Sequence, residues 1–178
     1  MRVLISTPLY PPDIEPQARY VKELAIRLSD THEVTLLTYG RIPERIPRVT
    51  IHAVPKHIPL VVRLIVYTRA LWSMQKSADA IFSENGASVE LPLMLVSLLS
   101  RVPIVFHEGD VCAQERNKGD VLFKTIHRLA ARGAKKLTGT PLQKPEVFRH
   151  LPFPKTAYAA YADSWQKHIL KVNRLLHA

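Results

Sequence analysis

Short apolar runs alternate with stretches of helical period along most of this chain. Val3-Leu4-Ile5 predicts an opening strand, and the proline-broken loop Leu9 to Gln17 follows it. From Ala18 to Asp30, the apolar residues Tyr20, Val21, Leu24, Ala25 and Leu28 recur at intervals of three and four, which predicts an amphipathic helix. Glu33 to Thr38 predicts a second strand ending at Tyr39-Gly40, and Val49 to Val54 a third. Ile58 to Ser77 predicts a long helix, apolar almost all round, that is either mostly buried or set against something apolar. Next come a strand at Ala80 to Phe82, a helix to Ser100 capped by Ser88 with Glu90 in its first turn, and a strand at Pro103 to Phe106. A helix over Lys118 to Ala134 and a strand at Lys136 to Thr138 complete the series. Strand and helix in alternation require a parallel sheet, so the expected class is α/β, a Rossmann-like doubly wound sheet. In such sheets ligands bind beyond the carboxyl ends of the strands, which directs attention to the loop from Thr7 to Gln17.

The carboxyl-terminal stretch has a different character. Leu151 to Lys155, LPFPK, reads as a linker because its prolines prevent a helix. Beyond it Tyr158, Tyr161, Trp165, Ile169, Val172 and Leu176 form one apolar stripe at helical spacing. The expected organisation is a domain over residues 1–150, with residues 151–178 forming a linker and a helix that packs back on it. Tyr161 and Trp165 are expected to be core.

The opening Thr-Pro-Leu-Tyr-Pro-Pro-Asp-Ile, the helix Tyr20-Val21-Lys22-Glu23-Leu24-Ala25 and the strand Glu33-Val34-Thr35-Leu36-Leu37-Thr38 resemble the acceptor-side domain of family 4 glycosyltransferases. The resemblance is specific over about the first 40 residues and looser to about Thr140. These are GT-B enzymes, in which two Rossmann-like domains face each other across a cleft. Ser164-Trp165-Gln166-Lys167 looks like the family's last helix, which returns to pack on the acceptor-side domain. The resemblance thus implies one GT-B half-domain, the acceptor-binding part of a retaining glycosyltransferase that usually needs no metal. A separate donor-side domain would hold the nucleotide sugar, so no cofactor is expected on this chain, which alone should be inactive. The family's loop usually carries two adjacent glycines where this chain has Glu15-Pro16. Glutamate adds negative charge and proline removes an amide, which argues against phosphate binding at this loop. Glu15 and Glu23 share the separation of the family's donor-side Glu-x7-Glu motif but lie in the other domain, so they are not read as that motif.

Charge and composition narrow the picture. At 178 residues the chain suits one well-buried domain, and 47% hydrophobic with 22% charged residues is ordinary for a globular fold. The lone Cys112 excludes an intramolecular disulfide. A strand entered directly after Met1-Arg2 leaves no signal peptide ahead of the fold, so a cytoplasmic location is expected. The net charge of +10 is lopsided: residues 111–178 hold 13 Lys/Arg against 4 Asp/Glu, and residues 1–110 hold 12 against 11. Such a surface attracts anionic lipid, nucleic acid or phosphorylated ligands alike. Aromatic residues are not interleaved with the basic ones as stacking platforms, which argues against nucleic acid.

His107 ends a central strand, and by resemblance it is the best single catalytic residue, placed beside the reacting sugar. A loop histidine satisfied by backbone is the plain alternative. Thr7, Pro11, Asp13, Glu15 and Gln17 in the first loop, Asn85-Gly86 after the fourth strand, and Glu108 and Asp110 beside His107 are candidate acceptor contacts. Turn chemistry explains Asn85-Gly86 nearly as well, and solvated loop charge explains Glu108 and Asp110. Eight scattered histidines give no metal-ligand spacing, and neither Gly-x-Gly-x-x-Gly nor Gly-x-Ser-x-Gly occurs. Arg63, Arg69 and Trp72 with Val62, Ile65 and Val66 resemble an interfacial helix, as in related enzymes with lipid acceptors; an ordinary helix shielding the sheet has the same composition. Expected partners are a donor-side domain or a second copy, a sugar or lipid-linked acceptor, and an anionic membrane face touched peripherally. The rival reading is a non-catalytic carbohydrate- or membrane-binding, or regulatory, module.

Overall fold

The computed structural model describes residues 1–109, 120–143 and 154–177. Cys112, Asp110 and most of the proline linker lie outside the described residues. The strands are β1 (Arg2–Ser6), β2 (Glu33–Tyr39), β3 (Val49–Val54), β4 (Ala80–Glu84), β5 (Ile104–His107) and β6 (Lys135–Leu137). They form one sheet in the order β3-β2-β1-β4-β5-β6, and every neighbouring pair is parallel. The α/β doubly wound expectation therefore holds. The helices are α1 (Pro16–Leu28), α2 (Leu60–Gln75), α3 (Ala87–Ser97), α4 (Val121–Ala130) and α5 (Lys155–His177).

Alternation along the strands divides the core in two. Val3, Ile5, Val34, Leu36, Ala80, Phe82, Val105 and Leu137 face α1 and α5, where Leu24, Leu28, Tyr161, Trp165, Val172 and Leu176 meet them. Leu4, Leu37, Ile81, Ile104 and Phe106 face α2, α3 and α4, against Tyr67, Leu71, Val89, Leu93 and Ala130. Tyr158, the first member of the tail's stripe, is exposed, whereas Ile169 is partly buried against the first core.

Four helix starts differ from the sequence expectation; α2 begins at Leu60 rather than Ile58, and α4 at Val121 rather than Lys118. Helix α1 begins at Pro16 rather than Ala18, with Pro16 in the first helical turn, where a missing amide costs nothing. Ser88 is not the cap of α3: Gly86 holds that position, and its amide donates to the Glu90 carboxylate at 3.2 Å. Pro92 inside α3 cannot donate to the Ser88 carbonyl one turn earlier. The Tyr39 hydroxyl donates to that carbonyl instead, at 2.8 Å, tying the end of β2 to α3.

Candidate functional site

The carboxyl ends of β1, β4 and β5 converge because the three strands are adjacent in the sheet. In the β4–β5 register Glu84 lies opposite His107, and both follow Phe82 and Val105 onto the face shared with α1 and α5. His107 Nδ1 donates to Glu84 Oε1 at 2.8 Å with 0% and 1% side-chain exposure. Its Nε2 donates to the Gly139 carbonyl at a longer 3.3 Å. Burial works against a proton on His107, but the Glu84 carboxylate, the Gly139 carbonyl and Glu108 outweigh it, so the pKa stands above its ordinary value. Donation from both ring nitrogens, to a carboxylate and to a carbonyl, favours the charged ring.

Tyr20 stacks on that ring, with centroids 4.7 Å apart and planes at 29°. Trp165 stacks on the far side of Tyr20 at 5.7 Å, and the Arg27 guanidinium sits 5.1 Å over the indole. The Tyr20 hydroxyl donates to His168 Nε2 at 2.8 Å. Burial, then the charges of His107 and Lys171, push the His168 pKa down to about 4, so it is a neutral acceptor near neutrality. Burial and the Glu84 charge raise the Tyr20 phenol well above its ordinary range, which keeps the hydroxyl proton in place.

The first loop closes over the same edge. Thr7 is buried, its hydroxyl donating to the Leu9 carbonyl at 2.9 Å. The Tyr67 hydroxyl lies beneath, 3.0 Å from Ser6 Oγ and 3.1 Å from the Leu37 carbonyl to which it donates. Gln17 reaches across to donate to the Gly109 carbonyl at 3.3 Å, and the backbone N–H of the buried Asn85 donates to the His107 carbonyl at 3.0 Å. Thr7, Gln17, Asn85, Gly86, His107 and Glu108 are therefore gathered at one rim. Glu108 pairs with Lys136 at 3.0 Å and lies 3.7 Å from His127, whose Nδ1 donates to the buried Glu90 at 3.1 Å. Pro11, Asp13 and Glu15 lie apart from that rim: the buried Pro11 accepts the Glu44 amide at 3.1 Å, Asp13 binds Lys56 at 2.7 Å, and Glu15 is exposed at the start of α1. Among the described residues, no group of three or more His, Cys, Asp or Glu could hold a metal ion.

Helix α2 separates the three residues read as membrane-facing. Arg69 is exposed and Trp72 half-buried, both lining an apolar groove of about 410 Å³ with Thr68, Leu95, Leu98 and Leu99. Arg63 turns away, stacking over Tyr39 at 5.5 Å and donating to the Lys56 carbonyl at 3.0 Å. Leu60, Val61, Val62, Ile65 and Val66 are exposed, as are Leu98 and Leu99 at 70% and 75%. Among the described residues no helix is long and apolar enough to cross a membrane.

The sequence reading missed Glu84, Tyr20 and His168 as members of the cluster. The signals were present. Glu84 ends β4 in phase with His107, and His168 falls at the three- and four-residue spacing between Trp165 and Val172. No protein-family model matches the chain, and no curated protein matches it.

Proposed function

We propose that this chain is the acceptor-side half of a GT-B-type glycosyltransferase, with the nucleotide sugar supplied by a separate donor-side domain. The observation that carries the reading is the convergence of the first loop, the Gly86 turn and the Glu84–His107 pair at the carboxyl edge of β1, β4 and β5. A charged imidazole held by a carboxylate suits a developing negative charge or a sugar oxygen. Because His107 is sealed, a ligand gains its Nε2 by replacing the long bond to the Gly139 carbonyl. The role is transfer to a hydroxyl acceptor, with the imidazole as hydrogen-bond donor beside the reacting centre. Exposed apolar residues of α2 and α3 support peripheral contact with a lipid surface on the cytoplasmic side, since monomeric soluble proteins seldom leave so large an apolar face uncovered.

Calorimetry tests the division of labour. Uridine and guanosine diphosphate sugars should show no saturable binding below about millimolar, roughly −4 kcal/mol or weaker. Candidate sugar acceptors should shift amide resonances of Thr7 to Gln17, Asn85-Gly86 and His107 together, and His107→Ala should weaken that response. A micromolar constant for any nucleotide sugar would overturn the proposal, as would acceptor shifts confined to other segments.

A further inference from the structure

Sheet pairing ends at Leu137, whose carbonyl accepts the Glu108 amide at 3.2 Å, and the chain then crosses His107 as an irregular segment, residues 138–142. Gly139 is the crossing point, and its carbonyl accepts from His107 Nε2 at 3.3 Å. Among the described residues, none of the segment's hydrogen bonds is to another backbone group. At its start, Lys171 Nζ donates to the Thr138 carbonyl at 3.3 Å. At its end, the Leu142 amide donates to Ser164 Oγ at 2.9 Å, and the Trp165 indole N–H donates to the Leu142 carbonyl at 3.1 Å. Both ends therefore hang from α5, while the middle rests on the imidazole.

The other walls of His107 are not of this kind. Glu84 lies in β4 and Tyr20 in α1, both buried. Gly109 lies so close that a Cβ built there would stand 2.5 Å from the ring's Cε1. Over Nε2, by contrast, Thr138, Gly139, Thr140 and Leu142 are all exposed, and only Pro141 is buried. Lifting the segment uncovers little apolar surface and breaks no ladder bond. Stretches of this character open at a fraction of the free energy of global unfolding. Gly139 itself has φ +82, in the left-handed region that favours glycine, and a Cβ there would meet nothing within 4 Å. The crossing is thus set by backbone conformation and by the bonds to α5, with no side chain packed down to lock it.

We propose that residues 138–142 form a strap, latched at both ends by Ser164, Trp165 and Lys171 of α5, whose lifting opens His107 Nε2 to a ligand oxygen. The Gly139 carbonyl holds the place that this oxygen takes. The strap's role as a gate rests on reading this rim as the acceptor site. Its opening is measured on the imidazole alone and needs no acceptor.

Carbethoxylation of the full chain with diethyl pyrocarbonate at mildly alkaline pH, mapped by mass spectrometry, tests it. With Nδ1 held by Glu84, the reagent attacks the neutral ring at Nε2, and the tryptic peptide 102–116 carries His107 as its only histidine. In the parent, His107 should react far more slowly than the exposed His57. Ser164→Ala combined with Lys171→Met removes two latch bonds and should speed His107 roughly tenfold. Gly139→Ala strains the backbone only while the strap is closed, so it should speed His107 about five- to thirtyfold. In both variants His168, under the same helix, should stay slow. The gain at His107 should also be insensitive to low urea, because local opening exposes little surface. A parent His107 that reacts like His57 would overturn the proposal, as would unchanged His107 rates in both variants. So would a gain shared by His168 that steepens with urea, since α5 would then be detaching as a whole. Faster His107 labelling with no response to any acceptor would remove the transfer reading while supporting the strap.

Discussion

At the carboxyl ends of β4 and β5 the polar groups turn inward, whereas at the ends of β2 and β3 they turn out. Glu84, Asn85 and His107 are buried and bonded to one another or to the chain beside them. Arg41, Lys56 and His57 are exposed around an open depression. The difference arises from what covers each end. The tail helix α5 and α1 bring Trp165, Tyr20 and His168 over the β4–β5 end, while β3 is the edge strand and the residues just past its end, Lys56 and His57, stay exposed. Polar chemistry at the first place is therefore set by burial, and at the second by charge in water. A carboxylate and an imidazole are coupled strongly where solvent is excluded, but lysine and arginine near the surface keep long-range attraction that salt weakens.

The largest test removes the cover. Trp165 is almost wholly buried, stacks on Tyr20, and donates its indole N–H to the Leu142 carbonyl at 3.1 Å. Trp165→Ala should cost ~3–5 kcal/mol in denaturant unfolding. It should also expose His107, which the tail helix covers. A variant as stable as the parent would mean that α5 does not seal the β4–β5 end, and the contrast between the two ends would lose its cause.

How much of this was legible in the sequence follows from the same contrast. Strand and helix periodicity gave the α/β class and the parallel order, because buried strands and amphipathic helices carry their pattern locally. His107 was legible as a strand-end residue. Its partners were not selected, because Glu84 is 23 positions away and His168 lies on another element, so their meeting depends on sheet register and helix docking. Helix α2 reads as apolar almost all round, and periodicity alone could not say which apolar residues face the sheet. The structure buries Tyr67, Leu71 and Gln75 and exposes Val61, Val62, Ile65 and Val66. The two starts of α1 and α3 were misplaced because proline in a first turn and glycine at a cap position leave no side-chain signal of the usual capping kind.

The second test uses the opposite titrations within the sealed cluster. His168 has its folded pKa lowered to about 4 from 6.5, so between those values the unfolded chain binds a proton that the folded chain does not. Its contribution to stability is present above 6.5 and is lost as pH falls toward 4, at up to about 1.4 kcal/mol per pH unit within that window. His107 has its pKa raised, so its contribution is present below 6.5 and is lost as pH rises through the folded value. His168→Gln keeps an acceptor for the Tyr20 hydroxyl and removes the first titration. Stability measured against pH should then fall less steeply than in the parent on the acid side and keep the same decline on the alkaline side. An unchanged acid limb would show that His168 is wet and uncoupled from Tyr20.

The smallest effect concerns how tightly the first loop is pressed on the sealed end. Gly86 has φ +155, and a Cβ built there would lie 2.8 Å from Pro8 Cγ. Backbone strain and this contact act together, so Gly86→Ala should cost about 1–3 kcal/mol. Gly133 also has positive φ, at +78, but a Cβ there would meet nothing within 4 Å. Gly133→Ala therefore reports backbone strain alone, and it should cost less than Gly86→Ala. Pro8→Ala combined with Gly86→Ala should recover part of the penalty, because removing the proline ring relieves the contact and leaves only the strain. Equal costs for the two glycines, with no recovery in the double variant, would mean that Pro8 is free to move aside. The loop would then be loose at the very end that Tyr20, Trp165 and Glu84 hold closed, and the difference between the two ends of the sheet edge would be one of burial beneath the loop rather than of the loop itself.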